Sequence, residues 1–172
     1  MIAAYGSDAY KIVLVLHILC AIVGFGAVFL NAIYGQQAST RKGPEGLAIS
    51  ETNFLVSRVA EYFIYAVFIL GIVLVLVGDN VFDFGQTWIW LSIVLYVIGL
   101  GVAHGVLYPS VKRMIALQRE MAGGPPPAGG PPPQAAEMER LGKRVAIAGP
   151  FLNVLLIVLL VLMVFKPGGP GV

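Results

Sequence analysis

The sequence predicts an all-α protein, an antiparallel bundle of four transmembrane helices with both termini on the non-cytoplasmic side. Three observations carry this. Four apolar runs cover residues 12–34, 54–77, 88–108 and 145–165. Each is long enough, at ~1.5 Å per helical residue, to cross a hydrocarbon core of ~30 Å. The chain is 58% hydrophobic and only 12% charged, more apolar surface than a soluble domain of this size can hide from water. Of its eleven Lys and Arg, all but Lys11 and Lys166 fall in the first and third loops or at the feet of the adjoining spans. Basic loops stay in the cytoplasm, so these loops set the sidedness and place both termini outside.

The first ten residues, with Tyr5, Ser7, Asp8 and Tyr10, read as an interfacial lead-in. The first span is too long for a signal-peptide core and has no basic segment before it, so it is expected to be a retained helix. Residues 36–53 are expected to form a loop, with turn residues Ser39, Thr40, Gly43, Pro44 and Gly46, and with Ser50, Glu51, Thr52 and Asn53 offering caps for the second helix. The short second loop carries Asp79 and Asp83, and Trp88 and Trp90 open the third span at the interface. Short helices are expected over residues 111–121 and 135–144. Between them lies a tether over residues 122–136, with triprolines at 125–127 and 131–133 separated by glycine pairs. Polyproline II segments broken by glycine make a semi-flexible spacer. The last span ends at Phe165-Lys166-Pro167, where Lys reaches for the interface and Pro stops the helix.

Polar groups inside a membrane are costly and mark candidate sites. Arg58 and Glu61 stand three apart on the second span and share a face. His104, Asn31 and Asn153 fall in the same, cytoplasmic half. A network of Arg58, Glu61 and His104, with the two amides as further partners, is expected. It reads either as polar glue between helices or as a proton or ligand site open to the cytoplasm. The outer half holds His17 and Cys20, three apart, and Met163. Imidazole, thiol and thioether together suit a soft ion such as Cu(I). Gly101 and Gly105 form a GxxxG pair, and Ala21, Gly24 and Ala27 recur at three-residue steps along the first span. Both patterns are expected at helix contacts.

A haem held between His17 and His104 is the obvious cofactor for a four-helix membrane protein with two histidines. From their places in the spans, however, the imidazoles are ~16 Å apart along the membrane normal. Cys20 is the only cysteine, so no intrachain disulfide forms. Phosphate loops, zinc-protease motifs and nucleophile elbows are absent, and no basic cluster interleaved with aromatics points to nucleic acid.

Leu16-His17-Ile18-Leu19 with Gly24-x-Gly26, the third span running from Trp88 to Tyr108-Pro109, and the closing Leu162-Met163-Val164-Phe165-Lys166-Pro167 together resemble a bacterial family of predicted four-helix integral membrane proteins of unknown function. That family is distantly similar to the copper-resistance D membrane domain. The likeness covers nearly the whole chain except the Pro/Gly tether. It implies a bacterial inner-membrane location and a four-helix bundle, without an established activity. The copper link carries over to His17 alone. A weaker resemblance runs to a four-helix haem-linked oxidase family with a first-span histidine.

The expected function is that of a small transport, ion-handling or accessory membrane component without enzymatic activity. Its partners are the lipid bilayer and other membrane subunits or a second copy of itself. The alternative is a redox protein that binds haem or copper through His17 or His104. Recruitment of partners by the tether is a third reading.

Overall fold

The computed structural model describes residues 5–41, 43–78, 81–123 and 133–169. These fold into helices α1 (Asp8–Thr40), α2 (Pro44–Leu76), α3 (Thr87–Val102), α4 (Tyr108–Gly123) and α5 (Pro133–Phe165), with a π-helical turn at Ala103–Leu107 joining α3 to α4. The third span and the helix expected to continue it are thus one rod. Four helical stretches are long and apolar enough to cross a membrane: Asp8–Thr40, Pro44–Leu76, Thr87–Ala122 and Gln134–Phe165. α1, α2 and α5 have 33 residues each, or ~50 Å at ~1.5 Å per residue, so they continue beyond a ~30 Å core. Lys42, Asp79 and tether residues 124–132 lie outside the described residues. The flanks of the tether, at residues 122–123 and 133–136, are helical.

The apolar side chains point outward as lipid requires. Ile12, Ile22, Leu55, Ile69, Ile147 and Val164 are each more than 60% exposed. In water that surface would cost roughly 25 cal/mol per Å². In a bilayer it meets its own kind, and only the backbone must be satisfied internally, as helices do.

The first turn differs from the expected long loop. α1 runs to Thr40 and α2 starts at Pro44, so only residues 41–43 join them. Gly43 takes φ +67, a conformation that glycine adopts without penalty. Pro44 follows at the first helical position, where its missing N–H costs nothing. Gly46 lets the new helix graze the old one: a Cβ there would stand 2.2 Å from the Arg41 carbonyl oxygen. The Ser50 and Thr52 hydroxyls cap no helix start. They donate to the carbonyls of Gly46 and Ala48, at 3.1 and 2.8 Å, inside α2. Such bonding to the preceding turn makes these residues compatible with a helix interior.

α1 and α2 pack in strict antiparallel register. The His17 imidazole lies against Gly71, Gly24 against Ile64, and the Ser57 hydroxyl donates to the Asn31 side-chain oxygen at 3.0 Å. These contacts recur every seven residues on both helices, the repeat of a left-handed helix pair. The small-residue stripe of the first span is therefore a helix contact at Gly24. The glycine pair of the third span is not: a Cβ at Gly101 or Gly105 would meet nothing within 4 Å. These two glycines border open space.

One end of the molecule gathers the start of α1 and the end of α5. Ser7 accepts a hydrogen bond from the Tyr10 backbone N–H, at 3.2 Å, and caps α1. Tyr5 packs edge-on to Tyr10 and Phe82, and Phe82 edge-on to Trp88. Tyr10, Leu74, Phe82, Trp88 and Ile89 are all buried there. Trp88 is thus a core residue, while Trp90 is 46% exposed. Lys166, turned by its φ of 45, places its ammonium 5.0 Å from the Phe82 ring centre. At the other end, Arg113 makes a two-pronged bond to Glu137, 2.9 Å on each prong, and Arg119 reaches Glu51 at 2.7 Å. These contacts tie α4 to α5 and to α2.

α3 packs on α5, and α4 packs on α2 and α5, but the backbones of α2 and α3 stay more than 8 Å apart. Large side chains bridge them. The Tyr96 hydroxyl donates to the Ile64 carbonyl at 2.8 Å, and the Phe68 and Tyr96 rings stack at 4.7 Å. The candidate site lies across this gap.

Candidate polar site between the second helix and the π-turn

Glu61 stands on α2 one turn after Arg58 and one turn before Tyr65, so all three fall on one face. The Arg58 guanidinium donates to Glu61 Oε2, and the Tyr65 hydroxyl donates to Glu61 Oε1. Across the gap, His104 Nε2 lies 2.8 Å from the Tyr65 oxygen and 3.2 Å from Glu61 Oε1. The structure thus brings Arg58, Glu61 and His104 together and adds Tyr65 as the group that joins them. The Glu61 side chain is 18% exposed, and those of Arg58 and His104 are 40% and 43% exposed. The carboxylate is the half-buried centre, and the two basic groups are its more open flanks.

His104 sits on a π-turn that ends two residues before Pro109. A proline has no N–H to offer the carbonyl four residues back, here Gly105, and its ring crowds that carbonyl. Over Ala103–Leu107 the helix widens into the π-turn, in which the Tyr108 N–H reaches back to the Ala103 carbonyl. Such single-turn insertions re-aim side chains and cluster at functional sites. Tyr108 closes the turn. The Arg58 guanidinium lies 5.1 Å from its ring centre, and Phe54 packs on the same ring at 5.4 Å. Arg58 is therefore held by a carboxylate on one side and an aromatic face on the other.

The proton count gives this cluster its chemistry. Glu61 Oε1, the Tyr65 oxygen and His104 Nε2 form a triangle of three short edges. Tyr65 supplies one hydrogen and Nε2 at most one. When Tyr65 donates to Glu61, Nε2 must carry a hydrogen to bond the Tyr65 oxygen. When Nε2 is bare, Tyr65 can turn its hydrogen to the imidazole. A proton can therefore pass from His104 to Glu61 when Nε2 gives its hydrogen to the Tyr65 oxygen as Tyr65 gives its own to Glu61 Oε1, rotation of the hydroxyl then resetting the path and Arg58 balancing the carboxylate charge.

The remaining candidates stand apart. Asn31 is engaged by Ser57 in the α1–α2 seam. Asn153, on α5, has a buried side-chain oxygen without a hydrogen-bond partner among the described residues. His17 leans on α2, and a Cβ at Gly71 would come within 3.2 Å of its Cε1. Its Nδ1 is buried and unpartnered among the described residues. Cys20 is a free, half-buried thiol. Met163, on α5, is 36% exposed, and nothing described joins it to His17 and Cys20. Among the described residues, no three His, Cys, Asp or Glu side chains form a metal-binding group.

α2 also measures the gap between the two histidines. His17 lies beside Gly71, and His104 lies beside Tyr65 and Glu61. That is six to ten residues along one helix, or roughly 9–15 Å at ~1.5 Å each. Two nitrogens on one iron must approach to roughly 4 Å, twice a metal–nitrogen bond of ~2 Å. A haem shared by His17 and His104 of one chain does not fit.

Neither the curated proteins nor the solved structures contain a match to this chain. The model of one protein family, described as predicted integral membrane protein (DUF2269), matches residues 11–167. A match over so much of the chain shows the relationship: the protein belongs to this family of integral membrane proteins.

Proposed function

We propose that this protein is a small ion-handling component of a bacterial inner membrane, and that His104, Tyr65 and Glu61 form a proton-binding relay open to the cytoplasm. The observation that carries this reading is the chain Arg58–Glu61–Tyr65–His104, assembled from two separate helical stretches across a gap. A mere ion pair needs only Arg58 and Glu61. A titratable imidazole and a hydroxyl with one shared proton are the parts of a proton path. The sidedness follows from the basic loops, with both termini on the opposite face. The chain works in the lipid bilayer, beside other membrane subunits or a second copy, and needs no enzymatic activity for this role.

The copper reading, suggested by the ligand chemistry of the outer half, rests on His17 and Cys20, because nothing described joins Met163 to them. Two soft ligands one helical turn apart make a weak site, so the proton relay is the better-supported function.

The test is a proteoliposome assay with a trapped pH dye. Wild-type protein should dissipate an imposed proton gradient faster than protein-free vesicles do. His104→Ala and Glu61→Gln should each slow this at least tenfold. Equal rates for the wild type and both variants would refute the reading.

A further inference from the structure

The crevice between the π-turn and α5 stands apart from the proton relay. It is lined by Gly105, Val106, Pro109, Ser110, Leu141 and Arg144 and encloses about 240 Å³. Gly105 borders open space here, since a Cβ there would meet nothing within 4 Å. Its walls are mainly apolar, with the buried Ser110 on one side and the exposed Arg144 at the rim.

Two features say what fits. The first is depth. Arg144 directly precedes the apolar run 145–165, whose 21 residues span ~31 Å as a helix, the thickness of the hydrocarbon core. The last residue of the third apolar run, Tyr108, adjoins Pro109 in the same crevice. The crevice therefore lies at the boundary where lipid headgroups begin. The second is charge. At this end of the molecule, Arg41, Arg58, Arg113, Arg119 and Lys143 each have a carboxylate within 4.0 Å. Arg140 and Arg144, one turn apart on α5, have none among the described residues. Two guanidiniums on one helix face, at headgroup depth and with no carboxylate in salt-bridge contact among the described residues, beside an apolar notch, match an anion that carries a hydrocarbon chain.

We infer that this crevice binds one anionic glycerophospholipid, with its phosphate on Arg144 and Arg140 and the start of an acyl chain in the notch at Gly105. Guanidinium pairs hold phosphate oxygens in a two-pronged geometry. Basic pockets between spans at headgroup level are the expected place for such recognition. A free phosphate would use the same guanidiniums but would leave the apolar notch empty.

Native mass spectrometry of the full chain tests this, after release from vesicles of equal phosphatidylglycerol and phosphatidylcholine. The wild type should retain one phosphatidylglycerol per chain, with about a tenfold preference over phosphatidylcholine. The double variant Arg140→Gln/Arg144→Gln should lose the preference, and Lys143→Gln, whose lysine is paired with Glu139, should keep it. All three side chains are exposed, and an unchanged helical circular-dichroism spectrum establishes that each variant is folded. Equal retention of both lipids by the wild type would overturn the inference. A preference that survives in the double variant would do the same. Displacement of the lipid by millimolar inorganic phosphate would assign the site to the free anion instead.

Discussion

The Tyr65 hydroxyl stands 2.8 Å from Nε2 of His104, although the backbones of their helices do not touch. This contact and the 3.2 Å approach of Nε2 to Glu61 Oε1 carry the polar network from α2 to the π-turn. Without the hydroxyl contact, Glu61 keeps Arg58 as its main partner and His104 loses its best-placed hydrogen bond.

Tyr65→Phe should therefore leave His104 only its 3.2 Å approach to Glu61 while keeping the packing of the ring. A single interhelical hydrogen bond in a membrane protein contributes roughly 0.6–1.7 kcal/mol. At 2–4 °C per kcal/mol for a chain of this size, Tm in detergent should fall by roughly 1–7 °C. Thermal unfolding followed by circular dichroism measures it, and an unchanged Tm would mean that the hydroxyl is idle.

Glu61→Ala should cost more, because it strands Arg58. Breaking a fully buried pair costs about 3–5 kcal/mol. Arg58 is 40% exposed, so solvent and headgroups recover part of this and leave about 1–3 kcal/mol. Replacing both partners, as in Arg58→Met/Glu61→Leu, should recover most of the loss. A double variant no more stable than Glu61→Ala would show that the ion pair is not what holds this region.

Gly24→Ala should destabilise the α1–α2 pair, while Gly26→Ala, two residues away, should not. A Cβ at position 24 meets Ile64 Cγ1 at 2.9 Å and the Ile64 backbone nitrogen at 3.2 Å, whereas one at position 26 meets nothing. Overpacking of this kind costs about 1–3 kcal/mol, against ±0.5 for an open site. Equal Tm values for the two variants would contradict the heptad register of the seam.

Much of this was legible in the sequence, and the reasons are physical. Long apolar runs admit one solvent and one secondary structure, so the spans and the helical class follow directly. Arg58 and Glu61 are i,i+3 neighbours, and their pairing needs no knowledge of the fold. The link to His104 followed from matched depth along two spans. Tyr65 stands four residues after Glu61 on the same face, but a lone hydroxyl in an apolar span does not reveal from spacing alone which neighbouring helix it will bond. The π-turn before Pro109 is not legible from the proline alone, since Pro150 lies inside an unbroken α-helix. The short first turn was hidden because Ser, Thr and Gly in residues 36–53 serve a helix interior here as well as they serve a loop. The glycine pair at 101 and 105 misled because spacing says that a surface is smooth and not what lies on it.

Pro109→Ala should restore an N–H and let the π-turn relax to an α-helix. Everything before it on α3 would then rotate by about 100° relative to α4, one residue of helical phase. His104 should lose Tyr65 and Glu61, although position 109 touches neither. Proton dissipation should fall as far as in His104→Ala while the helix content stays the same. Activity that survives would show that the turn does not aim the imidazole.

Outside the membrane, Glu137 should give an acid limit to the tie between α4 and α5. Its hydrogen bond to Arg113 holds its carboxyl below the ordinary 4.5, and the same bond raises the Arg113 guanidinium above its ordinary value. A depressed carboxyl contributes stability that is complete above the unfolded value and is lost as pH falls through the folded one. The Arg113 partner stays charged throughout. Hydrogen-exchange protection in the first turns of α5, corrected for intrinsic rates, should be constant from pH 7 to about 5 and fall below ~4. Arg113→Gln should remove that step, and a step that persists would assign it to another group.

The most direct measurement is the nitrogen NMR spectrum of the two histidine rings in bilayers at neutral pH, in the wild type, Tyr65→Phe and Glu61→Gln. If Arg58, Glu61, Tyr65 and His104 act as one linked unit, both substitutions shift the ring resonances of His104 and leave those of His17 in place. His104 resonances indifferent to either change would show that the imidazole stands alone, and the proton relay would have no path.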